Sequence, residues 1–179
     1  MIKATEIAKS LKADRSKANV NRIVLEMAKH GYDFEGYLDK IENTELPVKW
    51  YLMWNLGHYI QEYSHLGLLK QRLFWEFSKS IDHQGMSRDI WRSWSFLVVH
   101  EELEGDVFDK AVRIIPSQMY PVAVRVHAMK TAHNIAKNYH EIAEELMMIL
   151  EDLDHDESSG IRARSKNILK DLNKTIDSP

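Results

Sequence analysis

The side chains with the most chemical promise recur once per helical segment rather than gathering in one motif. Tyr51, Trp91, Arg125 and Arg162 stand at corresponding places in four successive amphipathic stretches, and Arg88 and Arg92 flank Trp91. Aromatic planes beside guanidinium groups can stack on, and charge-pair with, a peptide or a nucleic-acid strand. The same arginines have a structural alternative. They can bridge interhelical turns by pairing with acidic residues such as Asp154 or Asp156.

Three other patterns invite a metal reading. Glu62-Tyr-Ser-His65 has the Glu-x-x-His spacing of di-iron bundles, but such a centre needs a second copy and two more glutamates on facing helices. The nearest second copy, Asp152-Leu-Asp-His155, falls in an expected turn, and a turn also separates His133 from His140. Asp152-x-Asp-x-Asp156 begins like a calcium loop, then departs from it at the sixth position, Glu157, and the twelfth, Ala163. The chain has no cysteine, which excludes disulfides, thiolate metal sites and cysteine nucleophiles. No Gly-rich phosphate loop, Gly-x-Ser-x-Gly elbow or His-Glu-x-x-His motif is present. We therefore expect no catalytic set, no metal and no cofactor, and an enzyme of some other class has no residue set to support it.

The elements that would position the aromatic and arginine residues are helices. The 179 residues hold only seven glycines and four prolines, too little turn chemistry for a β-rich fold. From Tyr120 the residues Val124, Ala128, Ala132 and Ile135 form one helical stripe, with Pro121 at the start, where a missing N–H costs nothing. Similar helices begin their stripes at Val20, Trp50, Ile90 and Ile161, at successive spacings of 30, 40, 34 and 37 residues. Spacings in this range suit degenerate two-helix repeats.

A shorter A helix precedes each of these B helices. The expected pairs are Ile2 to Ala13 with Ser16 to His30, Asp33 to Ile41 with Leu46 to Ser64, and Leu66 to Ile81 with Ser87 to Glu101. Asp106 to Ile115 with Tyr120 to Asn138, and Glu141 to Leu153 with Ser159 to Thr175, complete the set. Thr44 and Ser87 are the expected caps of the second and third B helices, with Pro47 in the first turn of the second. Asp82 to Gly85 is the break before the third, and Glu151 to Glu157 the acidic turn before the fifth. The fold class is an all-α superhelix of about five antiparallel pairs, one domain over residues 1–179. Aligning the B helices places Trp50, Trp54 and Trp94 in the core, gives His58 a buried slot, and leaves Trp91 exposed.

Pro121-Val-Ala-Val-Arg-Val-His-Ala and Asp156-Glu-Ser-Ser-Gly-Ile-Arg-Ala-Arg resemble a HEAT repeat, in which an Asp in the turn precedes an aliphatic-Arg pair opening the B helix. Val124-Arg125 and Ile161-Arg162 match, and Ile90 with Arg92 matches loosely. The whole chain is also similar to a group of short bacterial HEAT-like proteins, some of which carry an adenylosuccinate lyase designation. The Gly/Ser-rich loop of that enzyme is absent, and the helices are too short for its central bundle. The resemblance implies a non-catalytic module that meets a protein or peptide through its concave B-helix face. It leaves open a nucleic-acid module similar to the DNA alkylation-repair glycosylases, for which Trp91, Arg88, Arg92 and Asp89 supply the residue types.

Net charge is −3, which gives no global attraction to nucleic acid. From Met119 to Ser158 acidic residues outnumber basic ones eight to three, whereas beyond Ser159 the balance is five basic to two acidic. No apolar run is long enough for a membrane span or a signal peptide, so a cytoplasmic protein without membrane partners is the expectation.

Overall fold

A computed structural model describes residues 1–81, 83–156 and 158–176. Asp82 of the expected break, Glu157 of the acidic turn and the tail after Ile176 lie outside the described residues. Among the described residues there are ten α-helices and a short 3-10 turn, Asp152–His155. The helices are α1 (Ala4–Ala13), α2 (Lys17–His30), α3 (Phe34–Glu42), α4 (Val48–Glu62), α5 (Leu68–Ser80) and α6 (Gln84–Trp94). They continue with α7 (Glu101–Ile114), α8 (Val122–Ala136), α9 (His140–Glu151) and α10 (Ser159–Ile176). All five expected pairs are present, with the even-numbered helices in the B role.

The helices gather into two compact units, Met1–Leu97 and Val98–Pro179. In the first, α4 is central and packs against α1, α2, α3 and α6. Ile7 and Leu11 of α1, Val20, Ile23 and Met27 of α2, and Leu52, Met53, Leu56 and Ile60 of α4 are removed from solvent. Each side chain of this size contributes about 1.5–3 kcal/mol on burial. The hydroxyl of Tyr37, itself buried, lies 2.9 Å from Asn55 Oδ1 and 3.2 Å from the Leu52 carbonyl, tying α3 to α4. The rings of Phe74 and Trp75 meet Trp94 at 5.2 and 5.8 Å, joining α5 to α6. In the second unit α8 packs against α7, α9 and α10. Its buried Val124, Ala128 and Ala132 are small enough for close helix approach.

Several helix ends follow their local chemistry. The Ser16 side chain accepts the Asn19 N–H at 3.1 Å and Asp33 accepts the Gly36 N–H at 3.1 Å, each satisfying an orphan donor of the first turn. Gly31, at φ 71, closes α2 in a conformation that a side chain would disfavour.

Others depart from expectation. Thr44 does not cap α4; its hydroxyl donates to the Lys40 carbonyl at 2.6 Å and closes α3. Pro47 holds the N-cap position of α4 and follows a cis peptide bond. Helix α6 begins three residues before Ser87, because the ring Nδ1 of His83 accepts the Met86 N–H at 3.3 Å and serves as the cap. It stops at Trp94 rather than Glu101, which leaves Val98 72% exposed instead of in a core slot.

The largest correction concerns α4. Trp50 is 37% exposed and Trp54 and His58 are half-buried, so none of the three fills the expected core position. The buried series is Leu52, Leu56 and Ile60, two residues further on, and it corresponds to Val124, Ala128 and Ala132 of α8. The cause is the helix's central place. Surrounded by four others, α4 is apolar on nearly every face, and such a helix carries no single stripe from which to read its phase.

Candidate functional site

The first unit keeps one strip of α4 open between its two B-helix neighbours. Trp50, Tyr51 and Trp54 floor a cleft of about 390 Å³, with Arg15, from the turn before α2, and Arg88, from α6, at its sides. The same face of α4 runs on to His58 and Glu62, which with Asn21, Val24 and Leu25 of α2 line a second hollow of about 200 Å³. Residues 50, 54 and 58 lie one helical turn apart, which makes the strip a single face.

Trp50 is held although it is partly exposed. Its indole N–H donates to Asp89 Oδ2 at 3.1 Å, and its ring lies beside Gly85 of α6, where a Cβ would make ordinary van der Waals contact with it at 3.5 Å. Asp89 is 1% exposed, and Arg88 donates to its other oxygen through Nε at 3.3 Å and Nη2 at 3.1 Å. The carboxylate is therefore a fastening point between α4 and α6, with both oxygens engaged. On the opposite side Arg15 donates to the Tyr51 hydroxyl at 2.8 Å, with its guanidinium carbon 5.3 Å from the ring centroid.

Trp54 and His58 meet edge to face at 5.2 Å. Burial lowers the pKa of His58, and the charges of Arg92 and Lys17 lower it further, against the opposing pull of Asp89 and Glu62. The neutral imidazole is thus favoured, with two cations and two carboxylates around it. Arg92 hydrogen-bonds Gln61 across from α6 to α4.

The structure divides the sequence-designated residues. Tyr51, Arg88 and Arg92 border the open strip of the first unit. Trp91 is 6% exposed, and its burial between the core residues Ile90 and Trp94 of a short helix removes it from any surface. In the second unit Arg125 is 3% exposed; its Nε donates to the Ile115 carbonyl at 2.7 Å and its Nη2 to Asp156 at 2.5 Å. Arg162 hydrogen-bonds the Asp156 backbone carbonyl. These two arginines take the turn-bridging role, with Asp156 as the shared partner. Burial by itself would raise the pKa of Asp156, but the hydrogen bonds from Arg125 and the Ser158 N–H, with the charges of Arg125 and Arg162, bring it below the ordinary value.

The metal-like patterns have structural occupations. Glu62 ends α4, so His65 lies beyond the helix and the two do not share a helical face. Asp154 pairs with Lys166 at 3.0 Å and Asp156 with Arg125. His133 Nε2 lies 3.0 Å from Asp171 in the second unit. Among the described residues no three His, Asp or Glu side chains converge as a metal site would require. No helix among them is long and apolar enough to cross a membrane.

Sequence reading missed Arg15, Trp50 and Trp54 as surface residues. No motif contains them, and the available signal was indirect. Two tryptophans and a histidine at i, i+4 and i+8 share a helix with an equally apolar opposite face, more than one core can absorb.

No curated protein and no solved structure matches the chain. The HEAT repeat domain matches residues 7–172, spanning both units and nearly every helix. By that match, and by its five helix pairs, the chain belongs to the HEAT repeat family.

Proposed function

We propose that this HEAT repeat chain is a non-catalytic module that takes a segment of a protein partner along the open strip of α4, in the B-helix layer. One observation carries the reading. The most enclosed helix of the first unit leaves Trp50, Tyr51, Trp54 and His58 partly in solvent, beside Arg15, Arg88 and Arg92. Trp, Tyr and Arg are the residues on which protein interfaces concentrate their binding energy. Because Asp89 and Arg15 already fix two of the rings, little side-chain order remains to be lost on binding. Tyr51, Arg88 and Arg92 are the sequence-designated residues that the proposal retains, and Trp91, Arg125 and Arg162 are left to structural roles.

A random-peptide display selection tests it. Peptides recovered on the wild-type chain should lose binding to Trp54→Ala and keep it on Met148→Ala, a change at an exposed residue of α9. Recovered peptides that bind a folded Trp54→Ala variant as well as the wild type would refute the groove.

A second reading is favoured by the meeting of Trp50, Trp54, Arg88 and Asp89 in one place, the residue types of the DNA alkylation-repair glycosylases. Against it, both Asp89 oxygens are engaged and net charge is −3. A shift of duplex DNA at low salt, lost steeply as salt rises, would favour it over the protein partner.

A further inference from the structure

We infer that the segment taken by the α4 strip is an extended acidic strand in which aromatic or large aliphatic side chains alternate with carboxylates. This deepens the docking proposal and rests on it. Spacing supplies the first argument. Trp50, Trp54 and His58 recur every four residues, so their steps along the helix are about 6 Å. Side chains on one side of an extended strand recur at about 6.6–6.8 Å. Two same-face side chains of a strand laid along α4 therefore meet successive turns of it, the first in the cleft at Trp50 and Trp54, the second over the hollow beside His58 that Val24 and Leu25 line. From residue 50 to residue 62 the strip is about 18 Å long, enough for five or six extended residues.

Charge supplies the second argument. Arg15 and Lys17 stand on the α2 side of the strip and Arg88 and Arg92 on the α6 side. Three carboxylates stand against them, of which Asp14, next to Arg15, accepts the Ser16 N–H and hydroxyl. Asp89 is buried with both oxygens occupied, and Glu62 lies at the His58 end. The four cations thus outnumber the three carboxylates, over an apolar floor. Arg15 uses Nη1 on Tyr51, and Arg88 uses Nε and Nη2 on Asp89, so each retains a terminal nitrogen for a carboxylate. The side chains that alternate with the floor-facing ones leave the floor, so their carboxylates lie at the rim, where the exposed guanidinium groups of Arg15 and Arg88 stand. A basic segment would meet like charge there, and an acidic one without large apolar residues would leave the cleft and the hollow unfilled.

The test is fluorescence anisotropy on the full chain with a dye-labelled octapeptide of alternating Phe and Glu. Two controls accompany it, one with Lys for every Glu and one with Ser for every Phe. Each control should bind at least about tenfold more weakly. The double variant Arg88→Gln, Arg92→Gln should weaken the Phe-Glu peptide about tenfold, as should Arg15→Gln with Lys17→Gln, which leaves the Asp89 fastening untouched. Binding should also weaken between 50 and 500 mM salt. Equal binding of the Lys peptide, or no loss in either double variant, overturns the inference. Display selections that return Trp54-dependent but neutral or basic peptides overturn the acidic rule and leave the groove standing. Failure of every recovered peptide to depend on Trp54 removes the groove and the inference together. Displacement of the Phe-Glu peptide by a lower concentration of a 12-nucleotide single strand assigns the strip to nucleic acid and overturns both.

Discussion

Two buried carboxylates, Asp89 in the first unit and Asp156 in the second, are satisfied in opposite ways. Asp156 meets Arg125 where both side chains are almost inaccessible, at 6% and 4% exposure. Asp89 meets the partly exposed indole of Trp50 and an Arg88 side chain that is 42% exposed. The second arrangement fastens two helices while keeping an aromatic ring and a cation at the surface. The first closes its joint completely and leaves nothing for a visitor. One repeat family thus yields a sealed joint and an open one, depending on whether the donor to the carboxylate is itself buried.

The sealed joint should be the more costly to break. Arg125→Ala leaves the Asp156 carboxylate buried without its main partner and should destabilise the chain by about 3–5 kcal/mol in chemical denaturation. A loss below 1 kcal/mol would mean that the pair is not buried in solution. The pH dependence sharpens the point. The folded pKa of Asp156 lies below its ordinary 3.8, because Arg125, the Ser158 N–H and Arg162 together outweigh burial. Its stabilisation is therefore complete above 3.8 and is lost as pH falls through the lower folded value. Arg125→Ala should shrink this acid-limb loss when melts are followed from pH 5 downward.

Next come the tryptophans. Trp94, at 0% exposure, should cost about 3–5 kcal/mol on truncation to Ala, and Trp91 nearly as much. Trp54→Ala, from a half-buried site, should cost distinctly less, about 1–2 kcal/mol. Equal losses at positions 54 and 94 would erase the contrast between open strip and core. Trp50→Phe keeps an aromatic ring, though a smaller one, and removes the donor to Asp89, so about 1–2 kcal/mol is expected. That value should fall well short of the Arg125→Ala loss if a neutral, half-exposed donor is the weaker fastening. The smallest effect belongs to Arg15→Ala. The residue is exposed, so stability should change by less than about 0.5 kcal/mol while peptide binding falls.

The contrast between α4 and α8 also explains what the sequence disclosed. Helix α8 opens at Pro121-Val122 and carries Val124, Arg125, Ala128 and Ala132, whose small residues and single arginine declare the buried face and its turn-bridging partner. Helix existence and pairing are legible for similar local reasons, whereas the expected caps, Thr44 and Ser87, give way to Pro47 and His83. The phase of α4 is not legible. With Trp50, Leu52, Met53, Trp54, Leu56 and Ile60 distributed round the helix, two stripes two residues apart are equally apolar, and only the neighbours decide between them. The site inherited that ambiguity. Tyr51, Arg88 and Arg92 read as surface residues because they are polar or amphipathic, whereas Trp50 and Trp54 read as inward because they are large. Arg15 was invisible for another reason: a turn residue acquires its partner, Tyr51, only from 36 positions away.

All five tryptophans lie in the first unit, and each gives one indole N–H signal, so a single NMR titration addresses the account's central claim. A peptide recovered by selection on the wild-type chain is added to the labelled full-length protein. The indole resonances of Trp50 and Trp54 should move and saturate together, while those of Trp75, Trp91 and Trp94 stay in place. Saturable binding that shifts the Trp91 or Trp94 signals and leaves Trp50 and Trp54 unmoved would contradict it.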